Sequence, residues 1–165
     1  MALALCCAFD NVAGAQTAFV GSIGNVYGGD ALVRARTYAV GLGGSGAHSV
    51  GSELEFSQTS HFSNLLGGES KVLSLMASIL VSAHAGPVRP YGLFGYGFIR
   101  QRTETSTGFV LSNLSNNDVG YNAGGGVVYK FSKAAGVRAD LRHFKVRKAA
   151  GLSFQRFMVG IVLGG

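Results

Sequence analysis

Long hydrophobic runs are missing from this chain of 165 residues, and so is most of the charge of a soluble surface. Only 13% of its residues are charged, against about 25% in an ordinary soluble domain. Yet 47% are apolar and the mean hydropathy is positive. A membrane-spanning helix needs roughly 18 or more consecutive apolar residues. The best stretch, Val72 to Ala83, falls short and is interrupted by Ser74, Ser78 and Ser82. A chain that is apolar overall but has no spanning helix fits a barrel whose strands alternate lipid-facing and lumen-facing residues.

Proline is scarce, with 2 residues, and cysteine is confined to Cys6 and Cys7. The four histidines, His48, His61, His84 and His143, have no metal-ligand spacing. Glycine is abundant, with 26 residues, but has no collagen-like period. Many glycines sit inside apolar, aromatic-containing segments such as Tyr91 to Ile99 and Tyr121 to Tyr129. There they disfavour helix and suit close backbone approach in a curved sheet. Gly124-Gly125-Gly126 leads into no helix and is not a phosphate loop. The net charge is +6, but the basic residues are scattered and no recognition-helix motif occurs. No nucleic-acid partner is expected.

Met1 to Phe9 is a short apolar run, and Ala13-Gly14-Ala15 supplies the small residues a signal peptidase reads. Residues 1–15 are expected to be a signal peptide, and residues 16–165 the barrel domain, with Gln16 first in the mature chain. Cleavage would remove both cysteines, leaving no disulfide framework. A lipoprotein reading at Cys6 is disfavoured by the bulky Leu5 before it.

Period-2 alternation and clusters of Gly, Pro, Asn and Ser predict eight strands. They cover Thr17 to Gly24, Arg36 to Gly43, Ser49 to Ser57, Lys71 to Ser82, Arg89 to Arg100, Asp118 to Phe131, Ala135 to Lys145 and Leu152 to Gly164. Short connections at Gly44 to His48, Ala83 to Val88 and Ser132 to Ala134 alternate with longer ones. The longer ones are Asn25 to Ala35, Gln58 to Ser70 and Gln101 to Asn117, with a modest one at Val146 to Gly151. Short periplasmic turns alternating with longer external loops are the pattern of an outer-membrane barrel.

The faces agree. Val50, Leu54 and Phe56 oppose Glu53 and Glu55 on the third strand. On the seventh, Val137, Ala139 and Leu141 oppose Arg138, Asp140 and Arg142. On the eighth, Phe157, Val159, Ile161 and Leu163 oppose Arg156, Met158 and Gly160. The fifth is ambiguous, because Phe94, Tyr96 and Phe98 oppose Tyr91, Leu93 and Ile99. Tyr121 and the pair Tyr129 and Phe131 share a face, roughly 20–25 Å apart, the height of an apolar band between aromatic girdles. Strands three and seven lie opposite each other in a ring of eight. Glu53 and Glu55 are therefore expected to meet Arg138 and Arg142 across the lumen, with Asp140, Lys130 and Arg156 extending the network. An interior just wide enough for side chains is expected to be plugged rather than an open pore.

Three segments carry a resemblance. Val88-Arg89-Pro90-Tyr91-Gly92-Leu93-Phe94-Gly95-Tyr96-Gly97 looks like the "RPY…G.G" strand of bacterial outer-membrane barrel domains. Asn117 to Val127, with its Gly120-Tyr121-Asn122-Ala123-Gly124-Gly125-Gly126 run, resembles the strand that follows. Gly136-Val137-Arg138-Ala139-Asp140-Leu141-Arg142-His143-Phe144 resembles a further strand of that family. Together they are similar to the OmpA/OmpX-like eight-stranded porin-like barrels. The resemblance implies an all-β fold, an eight-stranded antiparallel up-and-down transmembrane β-barrel of the bacterial outer membrane. It implies outer-membrane lipid and lipopolysaccharide as surroundings, the barrel assembly machinery as a partner during insertion, and a monomer. It also implies a structural or surface-interaction role, not a wide porin. The chain departs from the pattern at Ile161-Val162-Leu163-Gly164-Gly165, where the family ends on an aromatic residue.

His61-Phe62-Ser63-Asn64, with Glu69 nearby, resembles a stretch of lipid A 3-O-deacylases, which are also outer-membrane barrels. That resemblance implies a serine nucleophile, a histidine base and a glutamate orienting the histidine. Here the stretch falls in an expected external loop. No enzyme is expected, and no catalytic, cofactor-binding or metal residue is assigned. Two alternatives stay open: a lipid A-modifying hydrolase, and a soluble lipocalin-like barrel binding a small apolar ligand.

Overall fold

Side chains alternate across a strand, so a strand with one greasy and one polar face needs two different surroundings. In this chain eight such strands close on themselves. The computed structural model describes residues 16–28, 31–45, 49–63, 69–107, 110–147 and 153–164. Its strands are β1 (Gln16–Gly28), β2 (Ala31–Ser45), β3 (Val50–Ser63), β4 (Glu69–Ser82), β5 (Val88–Thr107), β6 (Val110–Lys130), β7 (Ala135–Val146) and β8 (Ser153–Gly164). Each pairs antiparallel with its neighbours, and β1 pairs with β8 to complete the barrel. Closure removes the exposed edges that an open sheet would present. The expected signal segment, residues 1–15, lies outside the described residues.

The barrel is apolar outside and polar within. On β7 the neighbours Leu141 and Arg142 are 45% and 0% exposed. Leu54 and Phe56 are exposed on β3, while Glu53 and Glu55, which alternate with them, are buried. Val159 and Ile161 face out on β8, and Arg156 and Met158 face in. The ambiguity of β5 resolves cleanly. Phe94, Tyr96 and Phe98 lie on the outer wall, and Tyr91, Leu93 and Ile99 are buried. A soluble lipocalin-like barrel would need the opposite arrangement, with an apolar cavity under a polar surface. That alternative is overturned.

The long loops expected from sequence are in large part strand. β1 and β2 run to Gly28 and from Ala31, and β3 and β4 run to Ser63 and from Glu69. β5 and β6 stay in register to the pair Thr107 and Val110. A tilted strand crosses a bilayer in about 9–11 residues, whereas β5 has 20 and β6 has 21. Their outer halves therefore stand beyond the membrane as a paired arm. Alternation misses such a segment because neither face need be apolar once the strand leaves the lipid. Backbone pairing carries it to the end of the described hairpin. The asymmetry between the two ends of the barrel thus lies in strand length rather than loop length. Register shifts between Val26 and Gly28 and between Thr59 and Phe62 sit near this rim, where bulges commonly fall in barrels.

Several glycines are required by geometry, and two of them illustrate the two reasons. Gly86, in the turn between β4 and β5, has φ of 64°, a left-handed conformation that side chains resist. On β6, a Cβ at Gly124 would run into the Leu141 carbonyl and come within 2.8 Å of the Arg142 Cα. Glycine there lets β7 lie close enough to bring Arg142 into the lumen.

Candidate functional site

The lumen contains the densest chemistry in the barrel. β3 contributes Glu53 and Glu55, β7 contributes Arg138, Asp140 and Arg142, and β8 contributes Arg156. All six are buried. Arg138 pairs with Glu53 across the barrel and, through Nε, with Asp140 at 3.0 Å. Arg142 Nη2 reaches Glu53 at 2.8 Å, Glu55 at 3.1 Å and Asp140 at 3.2 Å. Arg156 Nη2 pairs with Glu55 at 2.5 Å. Three carboxylates thus face three guanidiniums, and the cluster is neutral as a unit. A buried ion costs several kcal/mol unless paired and hydrogen-bonded, and here every charge has an opposite one.

Neutral groups brace the cluster. Arg138 Nε donates to the Tyr91 hydroxyl at 2.6 Å, and that hydroxyl donates to Asp140 at 3.2 Å. Arg156 Nη1 donates to Ser57 Oγ at 2.9 Å, which is hydrogen-bonded to Ser74 Oγ at 2.6 Å. The Arg138 guanidinium lies 4.7 Å from the Tyr91 ring centroid, and that of Arg156 lies 4.7 Å from the Phe144 centroid. Such cation–π contacts are strongest when desolvated.

Toward the rim remote from the termini the lumen turns apolar. Val26, Ala35, Val72, Ile99, Phe144 and Phe154 pack there with Met76 and Val146. The rings of Phe144 and Phe154 stack at 4.9 Å. Toward the termini a cavity of about 120 Å³ opens, lined in part by Arg89, Lys130, Tyr91, Arg138 and Glu53. A charged layer and an apolar layer therefore lie in series along the lumen.

The structure brings together Glu53, Glu55, Arg138, Asp140, Arg142 and Arg156 as the sequence predicts. Lys130 is the exception. Its side chain joins no ion pair among the described residues and lines the cavity near the termini. It sits too near the end of β6, opposite Gly136, to reach the carboxylates. Two features escape the sequence reading. Tyr91 is hidden by the symmetry of aromatic residues on both faces of β5. The apolar layer is foreshadowed by parity, since Phe144 and Val146 continue the inward series of Arg138, Asp140 and Arg142.

The stretch resembling a deacylase motif is also placed differently. His61, Phe62 and Ser63 belong to β3 rather than a loop, Asn64 lies outside the described residues, and Glu69 opens β4. The register sets Ser63 opposite Glu69. The loop expectation fails because the hairpin continues beyond the last alternating residues.

A sequence model described as outer membrane protein beta-barrel domain matches residues 2–163. Neisserial surface protein A is similar in structure, with a TM-score of 0.68 and 13% identity, over 92% of this chain and 97% of that one. Ail, the attachment invasion locus protein of Yersinia pestis, has a TM-score of 0.63 and 16% identity, over 92% of this chain and 99% of its own. The outer membrane enzyme PagL has a TM-score of 0.55 and 12% identity, over 88% of this chain and 98% of its own. No curated protein sequence matches the chain.

Proposed function

Because the chain belongs to the outer membrane protein beta-barrel domain family, we propose that it is a closed, non-conducting barrel of the bacterial outer membrane that acts through its surface. It carries out no chemistry and passes no solute. The observation that carries this reading is the filled lumen, where the Glu53, Arg138 and Arg142 cluster is followed by the Phe144 and Phe154 layer. The β5–β6 arm, standing beyond the bilayer, is the element free to meet other molecules. Ail has been solved in complex with the heparin analogue sucrose octasulfate, which supports ligand binding as a use of this fold. We read residues 1–15 as a removed signal peptide and the barrel as a monomer inserted by the barrel assembly machinery. Planar-bilayer recording tests the proposal. The expected result is little or no steady current from the wild-type protein, and a large, stable open channel refutes it.

A second reading rests on one observation. Ser63 lies opposite Glu69 at the rim, with His61 two residues away on the same strand, and PagL has this fold. Under it the protein would be a lipid A-modifying hydrolase. Lipid A mass spectrometry of cells expressing wild type and Ser63→Ala decides. Loss of an acyl chain with wild type alone would establish the enzyme.

A further inference from the structure

The neutral cluster in the lumen leaves two cations over. Arg89 on β5 and Lys130 on β6 continue the inward faces of their strands toward the rim nearer the termini, and both line the cavity there. Arg89 pairs with Val128 in the sheet, so Lys130, two positions on, is its diagonal neighbour. The two positive groups are close enough to repel each other. Neither joins an ion pair among the described residues.

The described carboxylates are committed elsewhere. Glu53, Glu55 and Asp140 are shared among Arg138, Arg142 and Arg156. Glu69, Glu104 and Asp118 belong to the other end of the barrel. Arg138, at the inner end of the cavity, is held by Glu53 and Asp140. The cavity therefore carries an excess of positive charge, and that charge comes from Arg89 and Lys130. A recess with charge of one sign and low-dielectric walls concentrates the field on its opening.

The facing wall is of another kind. Strands four apart in a ring of eight face each other, so β1 and β2 stand across from β5 and β6. Val20 from β1 and Gly43 from β2 lie on that wall, with Val162 beside Val20 on β8. Leu80 on β4 adds a further apolar surface. Gly43 has no side chain to fill the space in front of Lys130, and about 120 Å³ stays open. One side of the cavity is cationic and the other is apolar.

We propose that this cavity is a binding site for a small organic carboxylate, with its carboxylate between Arg89 and Lys130 and its hydrocarbon body against Val20, Leu80 and Val162. A guanidinium grips a carboxylate in a two-pronged bond, and an ammonium adds a point charge. An inorganic anion satisfies only the cationic wall, and a neutral apolar molecule only the other. The site is separate from the β5–β6 arm. It opens toward the termini, and the ion-pair cluster forms its inner end, so the ligand enters and leaves by the same mouth.

The test titrates isotope-labelled, refolded protein in zwitterionic micelles with sodium butyrate, at an ionic strength held constant with sodium chloride, and reads the backbone amide resonances. Wild type should show saturating shifts that map to Gly43, Ser52 and Val128. Arg89→Gln with Lys130→Gln should weaken butyrate binding roughly tenfold or more, through the loss of two charge-assisted hydrogen bonds. Arg36→Gln with Lys145→Gln removes the same charge at the other rim and should leave it unchanged. Acetate, shorter by two methylenes, should bind roughly fivefold or more weakly than butyrate, and inorganic phosphate more weakly still. If the Arg89 and Lys130 double variant does not refold, Lys130→Gln alone must weaken butyrate binding by about threefold or more. The proposal is overturned by shifts in wild type that do not saturate, by undiminished binding in the Arg89 and Lys130 variants, or by equal loss from both pairs. Acetate or phosphate binding as tightly as butyrate also overturns it, because the apolar wall would then take no part.

Discussion

Glu53 on β3 and Arg138 on β7 meet across the barrel although 85 residues separate them in the chain. They span the lumen because four strand-to-strand steps carry β3 to the far wall. The pair ties opposite walls together, which neighbouring-strand hydrogen bonds cannot do. Removing the carboxylate leaves Arg138 with Asp140 alone as carboxylate partner, takes one partner from Arg142 and leaves the buried cluster with an excess positive charge. Breaking one side of a buried ion pair costs about 3–5 kcal/mol. Glu53→Ala should therefore lower stability by that order in urea unfolding from lipid vesicles. Lys133→Ala, on an exposed turn, should stay within about 0.5 kcal/mol of wild type. Adding Arg138→Ala to Glu53→Ala should recover part of the loss. A loss for Glu53→Ala no larger than for Lys133→Ala would show that the network is not holding the walls.

The outer wall gives a depth-dependent prediction. Leu141 lies within the apolar band, and His143 lies two residues nearer the basic edge on the same face of β7. Arginine on the lipid face costs about 2–4 kcal/mol at the bilayer midplane and about 0–1 near the interface. Leu141→Arg should reduce folding into vesicles sharply, as read by heat-modifiable gel mobility. His143→Arg should be close to wild type. Equal tolerance of both would refute the placement of the band.

Much of this was legible from residue type alone, and the reason is the bilayer. Within the lipid a strand must alternate, so Arg138, Ala139, Asp140, Leu141 and Arg142 declare their faces unaided. Partners followed from counting, since strands four apart in a ring of eight face each other. Legibility failed where that constraint was absent. β5 has aromatic residues on both faces, and only closure shows that Tyr91 turns inward to Arg138 and Asp140. The apolar layer around Phe144 and Phe154 is not legible in the sequence because apolar residues in a lumen look like lipid-facing ones. Beyond the membrane, residues such as Thr103 and Asn113 follow no apolar period, so alternation does not distinguish paired strand from loop there.

Processing is checked directly. The Ala13-Gly14-Ala15 triplet predicts cleavage before Gln16. N-terminal sequencing of membrane-inserted protein should start at or near Gln16. Inserted protein that retains Met1 would end this reading.

The arm beyond the bilayer should be separable from the barrel. β4 pairs with β5 only as far as Glu104, and β7 pairs with β6 only from Gly120. Among the described residues, Thr105 to Thr107 and Val110 to Ser112 pair only with each other. Replacing residues 105–112 by Asn-Gly joins the paired residues Glu104 and Asn113 through a two-residue turn of the kind hairpins favour. The shortened protein should insert, retain heat-modifiable mobility, and differ from wild type by less than about 1 kcal/mol, the effect of a change outside the packed structure. If the arm is the contact surface, binding of the protein to whole partner cells or to immobilised polyanions should be lost while folding is kept. A truncation that unfolds the barrel would show that the arm is structural. One that folds and still binds would move the contact surface to another part of the rim.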